Sequence, residues 1–347
     1  MIHPRKLFLV VVLMGLTGVA LAEDSGTGGY KILRKVSLPG DGGWDFVAVD
    51  SDARRVYLTH DKMVQVLDAD SSEFVGTIEG TDRAHGIALV PQLHRGFITS
   101  GNTGSVIVFD LKTLKRLDEV PARKDADAIT YDPATGRVFS FNGDSQNVTV
   151  IEADTGKVIS TVDLGGSPES AVADGNGYVF DNLASKGLVL KVDAKTLNIT
   201  DQWPTAPGTS PTGIAIDEQN HRLFVGCRNK LLVVMDSTNG HIIQTLPIGE
   251  RVDTTLFDAK TNTVFNSCGD GTLTVIHADS PDQYHVVENA ATEPGARTLA
   301  LDSKTGYLWL PTAKTLPPPA PTKDNPKPRR TIVPGTFEVL VVGKEGI

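Results

Sequence analysis

Apolar runs of four to six residues, rich in Val, Ile and Leu, alternate with short polar turns along nearly the whole chain. No stretch keeps a helical period long enough to compete with this pattern. The runs fall into a cycle. A first run, such as Phe46–Val49 or Ile214–Ile216, closes on an acid and a turn. A second ends in an aromatic residue. A third, such as Val64–Leu67, Val106–Phe109 or Val148–Ile151, ends in Asp68, Asp110 or Glu152. A turn such as Asp154–Gly156 then leads to a fourth run, as in Lys157–Val162 and His241–Leu246. Acids at these turns, and Asp132 before Pro133, are read as turn formers rather than catalytic groups, because Asp bonds its own backbone two residues on.

The aromatic residue marks the period. Tyr57, Phe97, Phe139, Phe180, Phe224, Phe265 and Trp309 are separated by 40, 42, 41, 44, 41 and 44 residues. Four short strands repeated at this interval are the signature of β-propeller blades, since a solenoid of the same period would be helical. The segment Tyr30–Leu38 reads as a strand with no blade of its own, and the last repeat stops after its third strand, 337–342. Pairing the two fragments removes the free edges of an open array. The expected fold is therefore all-β: a seven-bladed β-propeller of four-stranded blades, closed by its N-terminal strand against its C-terminal blade.

With 347 residues, 40% hydrophobic and 22% charged, the composition is that of a globular chain with ample core. The first 22 residues read as a signal peptide: Arg5 and Lys6, an apolar run from Leu7 to Val19, then Ala20–Ala22 as a small-x-small cleavage site. The remainder, 23–347, is expected to be one exported domain, periplasmic or secreted and monomeric, with no transmembrane segment. The formal charge of −9 argues against general nucleic-acid binding, which needs a basic surface.

The repeats, with runs such as Val172–Asp174, Val138–Phe139 and Val148–Ile151 and the turn at Asp154–Lys157, resemble the YVTN-type repeats of exported bacterial YncE-like propellers. The resemblance covers about residues 30–342 and implies a periplasmic seven-bladed propeller. It assigns no reaction, because the architecture hosts binding modules, lyases, lactonases and oxidoreductases alike.

Aligning the blades gives candidate chemistry. The residue opening each innermost strand is Asp45, His85, Asp127, Glu169, Thr212, Asp253 and Arg297, twelve residues before the aromatic or eleven in the fourth blade. Six of these seven are ionisable, where YVTN-like repeats often carry a small residue. They are expected to converge on one mouth of the central channel. One reading is a hydrated entrance offset by Arg83, Arg251 and Arg297; the other is a ligand or metal site. Three residues past each aromatic stand His60, Ser100, Asn142, Leu183, Cys227, Cys268 and Thr312, expected on the same face. Asp45, His60, His85 and Asp127 then form a candidate set for one divalent cation, Zn²⁺ or Mn²⁺ by ligand type. In an enzyme, Glu169 or Asp253 would serve as base and Arg297 would hold anionic charge.

Cys227 and Cys268 occupy equivalent positions one repeat apart. A disulfide and two separate buried thiols both remain open readings. The last blade carries an insertion, 311–334, with 8 of the chain's 20 Pro plus Lys323, Lys327, Arg329 and Arg330. It reads as either a basic arm over the acidic mouth or a solvated loop. No phosphate loop, nucleophile elbow, paired Cys motif or haem-attachment motif is present. Two functions follow: a binding or scaffold propeller for a small polar ligand, a cation or an envelope protein partner, or a metal-dependent hydrolase or lyase acting on a lactone, uronate or similar metabolite.

Overall fold

The computed structural model describes residue 1 and residues 29–323, 328 and 330–345; the signal-peptide segment, Lys327 and Arg329 fall outside these. Seven four-stranded antiparallel sheets form the ring. Their innermost strands are Trp44–Asp50, Ala84–Val90, Ala126–Asp132, Pro168–Ala173, Pro211–Asp217, Val252–Asp258 and Ala300–Asp302, here blades 1 to 7. Closure follows the expected route. Lys31–Ser37 pairs antiparallel with Glu338–Gly343, from Lys31 opposite Gly343 to Ser37 opposite Glu338, and so completes blade 7.

The repeat is enforced by packing between blades. The seven marker aromatics are at most 1% exposed, so each contributes the roughly 1.5–3 kcal/mol of a fully buried large side chain. Among the described residues, seven apolar clusters form, one at each blade–blade interface. The second and third strands of a blade are buried on both faces and read as continuous apolar runs. The outermost strand is mostly wet, as in Arg116–Pro121 of blade 2, where Val120 alone is buried. Acids at strand ends cap turns: the Asp110 carboxylate accepts the Thr113 amide at 2.7 Å, and that of Asp132 accepts the Thr135 amide at 3.0 Å. No helix among the described residues is long and apolar enough to cross a membrane.

The cysteine alternatives resolve as two free, buried thiols. Cys227 packs with Phe180, Val189 and Trp203 of blade 4, and Cys268 with Leu232 and Leu246 of blade 5. Each points back into the interface with the preceding blade, so the blade 5 sheet separates the two sulfurs and no disulfide joins them.

Candidate functional site

The residues that open the innermost strands are aimed by two recurring backbone devices. In blades 1 to 6 the pairing of the first two strands shifts register at this point: between Trp44 and Val47, Ala84 and Ile87, Ala126 and Ile129, Pro168 and Ala171, Pro211 and Gly213, and Val252 and Thr254. The residue of interest sits in each bulge, released from the ladder and free to re-aim its side chain. Two residues earlier the backbone takes a left-handed conformation at Arg83, Asp125, Ser210 and Arg251, with φ of 61°, 60°, 50° and 59°. Side-chain-bearing residues rarely adopt it. The device presents residues i and i+2 to the same space: Arg83 with His85, Asp125 with Asp127, Arg251 with Asp253.

That space is a cavity of about 590 Å³ at one mouth of the channel. Asp45, His85, Asp127, Glu169, Asp253 and Arg297 all line it, as do Arg83, Asp125, Arg228 and Arg251. The Pro-rich insertion reaches the same cavity. Its ends pair as a short ribbon, Thr315 opposite Ile332, and Thr315, Arg330 and Ile332 join the lining. The Gly335 amide, which donates to Asp41 at 3.0 Å, ties the insertion to the start of blade 1.

Two expected members are placed elsewhere. Thr212 is 1% exposed, and its hydroxyl donates to the Ser210 carbonyl at 3.1 Å rather than facing the cavity. His60 is likewise 1% exposed, stacked on Phe337 at 4.0 Å with Nδ1 3.1 Å from the Gln65 side chain. Burial depresses its pKa. For His60, strand alternation is the reason. The third residue past the aromatic turns into the blade, whereas the fourth faces the cavity, and a slip of one residue changes face. At that fourth position stand Asp61, Arg228 and Gly269, all cavity-lining. Arg228 was the available signal, a long cation where blades 2, 3 and 6 carry Gly101, Gly143 and Gly269. Gly101 makes room, since a Cβ there would lie 2.9 Å from His85 Nε2.

The charged side chains form a chain in which acid and base alternate. Glu169 lies 3.8 Å from Arg228, Arg228 3.5 Å from Asp253, and Asp253 2.5 Å from Arg297. Arg297 continues to Asp45 at 3.3 Å, Asp45 to His85 at 2.5 Å, and His85 to Asp127 at 3.4 Å. Arg83 is held separately by Asp125 at 2.8 Å. Burial works to raise Asp45, but the His85 hydrogen bond and the Arg297 charge outweigh it and hold the carboxyl low. Burial likewise opposes protonation of His85, and Asp45 with Asp127 outweigh it, so its pKa rises. Asp127 and Glu169 behave differently. Burial, opposed by His85 and reinforced by Asp45 and Glu169, pushes Asp127 up to about 7. Burial, opposed by Arg228 and reinforced by Asp253, carries Glu169 to about 7 as well. Both carboxyls are therefore poised to exchange protons near neutrality.

Behind Glu169 sits Asp181, 0% exposed, with neither carboxylate oxygen in a hydrogen bond. Burial, with Glu169 adding to it, lifts its pKa well above normal. Asp45, His85 and Asp127 each bring one potential ligand atom within 4.8 Å of the others, so three of the four expected cation ligands converge.

No protein-family model matches the chain. It is similar to the uncharacterized protein YncE of Salmonella typhi, 26% identical over 167 residues, which is 46% of this chain. The match spans 44% of that relative's length. Among solved structures, a chain of Kuenenia stuttgartiensis hydrazine synthase aligns over 79% of this chain and 94% of its own, with TM-score 0.69 and 11% identity. The WD40 repeats of RRP9 align over 90% of this chain and 97% of theirs, with TM-score 0.73 and 9% identity. At these identities the structural likeness is one of fold.

Proposed function

Taking the chain as a YncE-like seven-bladed β-propeller, we propose that it is an exported, periplasmic binding protein that holds a small polar ligand in the charged cavity at the channel mouth. The observation that carries this reading is the convergence of bulge-aimed ionisable side chains and the Pro-rich insertion on one concave space of about 590 Å³. A concave site with convergent polar groups and perturbed carboxyls is where ligands bind. The insertion supplies Arg330 and Ile332 to the wall, so it acts as part of the site and offers an edge to an envelope partner.

The test is a melting-temperature screen of the purified mature protein against polar metabolites, repeated with Arg228→Gln. A ligand at a hundred times its Kd adds about 2.7 kcal/mol to stability, a readily measured shift. The expected outcome is a ligand that stabilises the wild type and not the variant. A library without a single stabilising compound removes the reading.

A second reading rests on the Asp45–His85–Asp127 convergence: a metal-dependent hydrolase or lyase acting on a lactone or uronate. A divalent cation there would polarise a carbonyl. Glu169 is the better base of the two candidates, because Asp253 is engaged by both Arg297 and Arg228. Stoichiometric metal that EDTA removes, lowering the melting temperature of the wild type but not of His85→Ala, would favour it.

A further inference from the structure

The alternating chain does not close. Six successive contacts pair unlike groups from Glu169 round to Asp127. Its two ends, on adjacent blades 3 and 4, are both carboxylates. Among the described residues no cation bridges them. Arg83 is committed to Asp125 at 2.8 Å, and Lys124 to Asp144 at 3.0 Å. Arg228 reaches Glu169 only at 3.8 Å and leans to Asp253 on its other side at 3.5 Å.

Asp181 gives the gap a second, independent mark. It lies in the strand beside that of Glu169, opposite Ala171, fully buried with both oxygens unpartnered. Four other blades fill the equivalent position with Leu58, Ile98, Val225 and Leu310, all buried. A wholly buried, unpaired acid opposes folding, and this one lies beneath Glu169, at the point of the ring where Asp127 and Glu169 share no cation.

We propose that the gap between Asp127 and Glu169 receives the cationic group of the ligand, an organic ammonium that closes the ring of alternating charge. This rests on the reading of the cavity as a ligand site and narrows it to amine-bearing compounds. An ammonium fits better than a metal ion. Glu169 is not among the ligand atoms of Asp45, His85 and Asp127 that lie within 4.8 Å of one another, so a metal ion held by those three is not shared with Glu169. An ammonium, with three N–H donors on a chain, spans such a gap. Beyond Glu169, Arg228 and Arg251 also line the cavity and offer guanidinium donors to an anionic end.

Calorimetric titration with putrescine, γ-aminobutyrate and succinate tests this, because the three match in chain length and differ in charge. Binding of an amine, with succinate excluded, is expected. Asp127→Asn and Glu169→Gln should each weaken that binding at least tenfold. Ser170→Lys adds a tethered ammonium beside Glu169 on the cavity wall; it should raise the melting temperature and abolish amine binding, and its melt is readable even if the other variants fold poorly. Succinate binding alone would overturn the cation gap while leaving the cavity a ligand site. Amine binding indifferent to both carboxamide variants would overturn it, as would Mn²⁺ or Ca²⁺ alone binding and displacing putrescine. Failure of all three probes together with a Ser170→Lys protein no more stable than wild type would overturn it too.

Discussion

The rim divides into two arcs that share the bulge device of blades 1 to 6 and are treated in opposite ways. From blade 5 through blades 6, 7, 1 and 2, Arg228, Asp253, Arg297, Asp45 and His85 neutralise one another in sequence. On blades 3 and 4, Asp127 and Glu169 end the chain with one cationic neighbour each, His85 at 3.4 Å and Arg228 at 3.8 Å, the deeper Asp181 has none, and all three carboxyls are displaced upward by burial. Bulges aim Asp45, His85 and Asp253 in the one arc as they aim Asp127 and Glu169 in the other, so they do not account for the difference. Buried charge that the fold leaves uncompensated is destabilising. Asp253 in the paired arc is also raised by burial, but it contacts both Arg297 and Arg228; the arc without such double pairing is the one kept for something other than stability.

The comparison breaks most forcibly at Arg297. Its Nε meets Asp253, its Nη2 meets Asp45, and its guanidinium lies 5.7 Å from the Trp44 ring. Arg297→Leu would take one partner from each of two carboxylates, leaving Asp45 to His85 and Asp253 to Arg228, at a cost of up to about 3–5 kcal/mol, read as a fall in the urea midpoint. Arg297→Lys should recover only part, since an ammonium cannot reproduce the two-sided fork. A loss below about 1 kcal/mol would mean that the paired arc is screened like an ordinary surface network, and the contrast between arcs would collapse.

The ring and its acids were legible in the sequence because the repeat length is set by packing. The marker aromatics must return to the same interface in every blade, and any residue at a fixed offset from them inherits a fixed place. What the offset does not reveal is the face. His60 and Thr212 sit at the right height and turn into the blade. Arg228, one position beyond Cys227, turns into the cavity. Past the aromatic, strand alternation decides this; at the strand start the bulges do, marked in blades 2, 3, 5 and 6 by a left-handed residue two places earlier. Of the two readings of the Cys pair, separate thiols hold for a related reason. Equivalent positions on neighbouring blades point the same way round the ring, not towards each other.

The unpaired arc should also announce itself in the pH dependence of stability. Asp127 rises from 3.8, and Glu169 from 4.5, to about 7. Asp45, His85, Glu169 and Asp125 act on the first; Arg228, Asp253, Asp45 and Asp125 act on the second. The folded protein therefore holds more protons than the unfolded chain between about pH 4 and 7, and stability falls as pH rises through that window. His85, raised in the folded state, contributes in the same direction: its stabilisation is full below 6.5 and is lost as pH rises through its folded value. Melting temperatures are expected to decline from pH 5 to 7.5. In Asp127→Asn/Glu169→Gln the decline should shrink to the part that His85, Asp181 and Asp253 supply. A flat wild-type profile would show that solvent or counter-ions already compensate the gap.

The smallest expected effect separates charge from covalent bonding as the origin of the paired arc's order. Cys227 and Cys268 lie on blades 5 and 6, within that arc, and burial pushes both thiols up to about 12. Thiols so displaced are poor nucleophiles, so native protein should resist iodoacetamide and react at both sulfurs once unfolded in urea. Dithiothreitol should leave the melting temperature unchanged. Removal of a native disulfide would instead lower stability by about 2–5 kcal/mol. A drop of that size would mean that blades 5 and 6 are stapled, with Arg228 and Asp253 held by the backbone rather than by each other. An unchanged melt leaves the alternating charges as the interaction that orders this arc, and the missing cation of blades 3 and 4 as the place where that order stops.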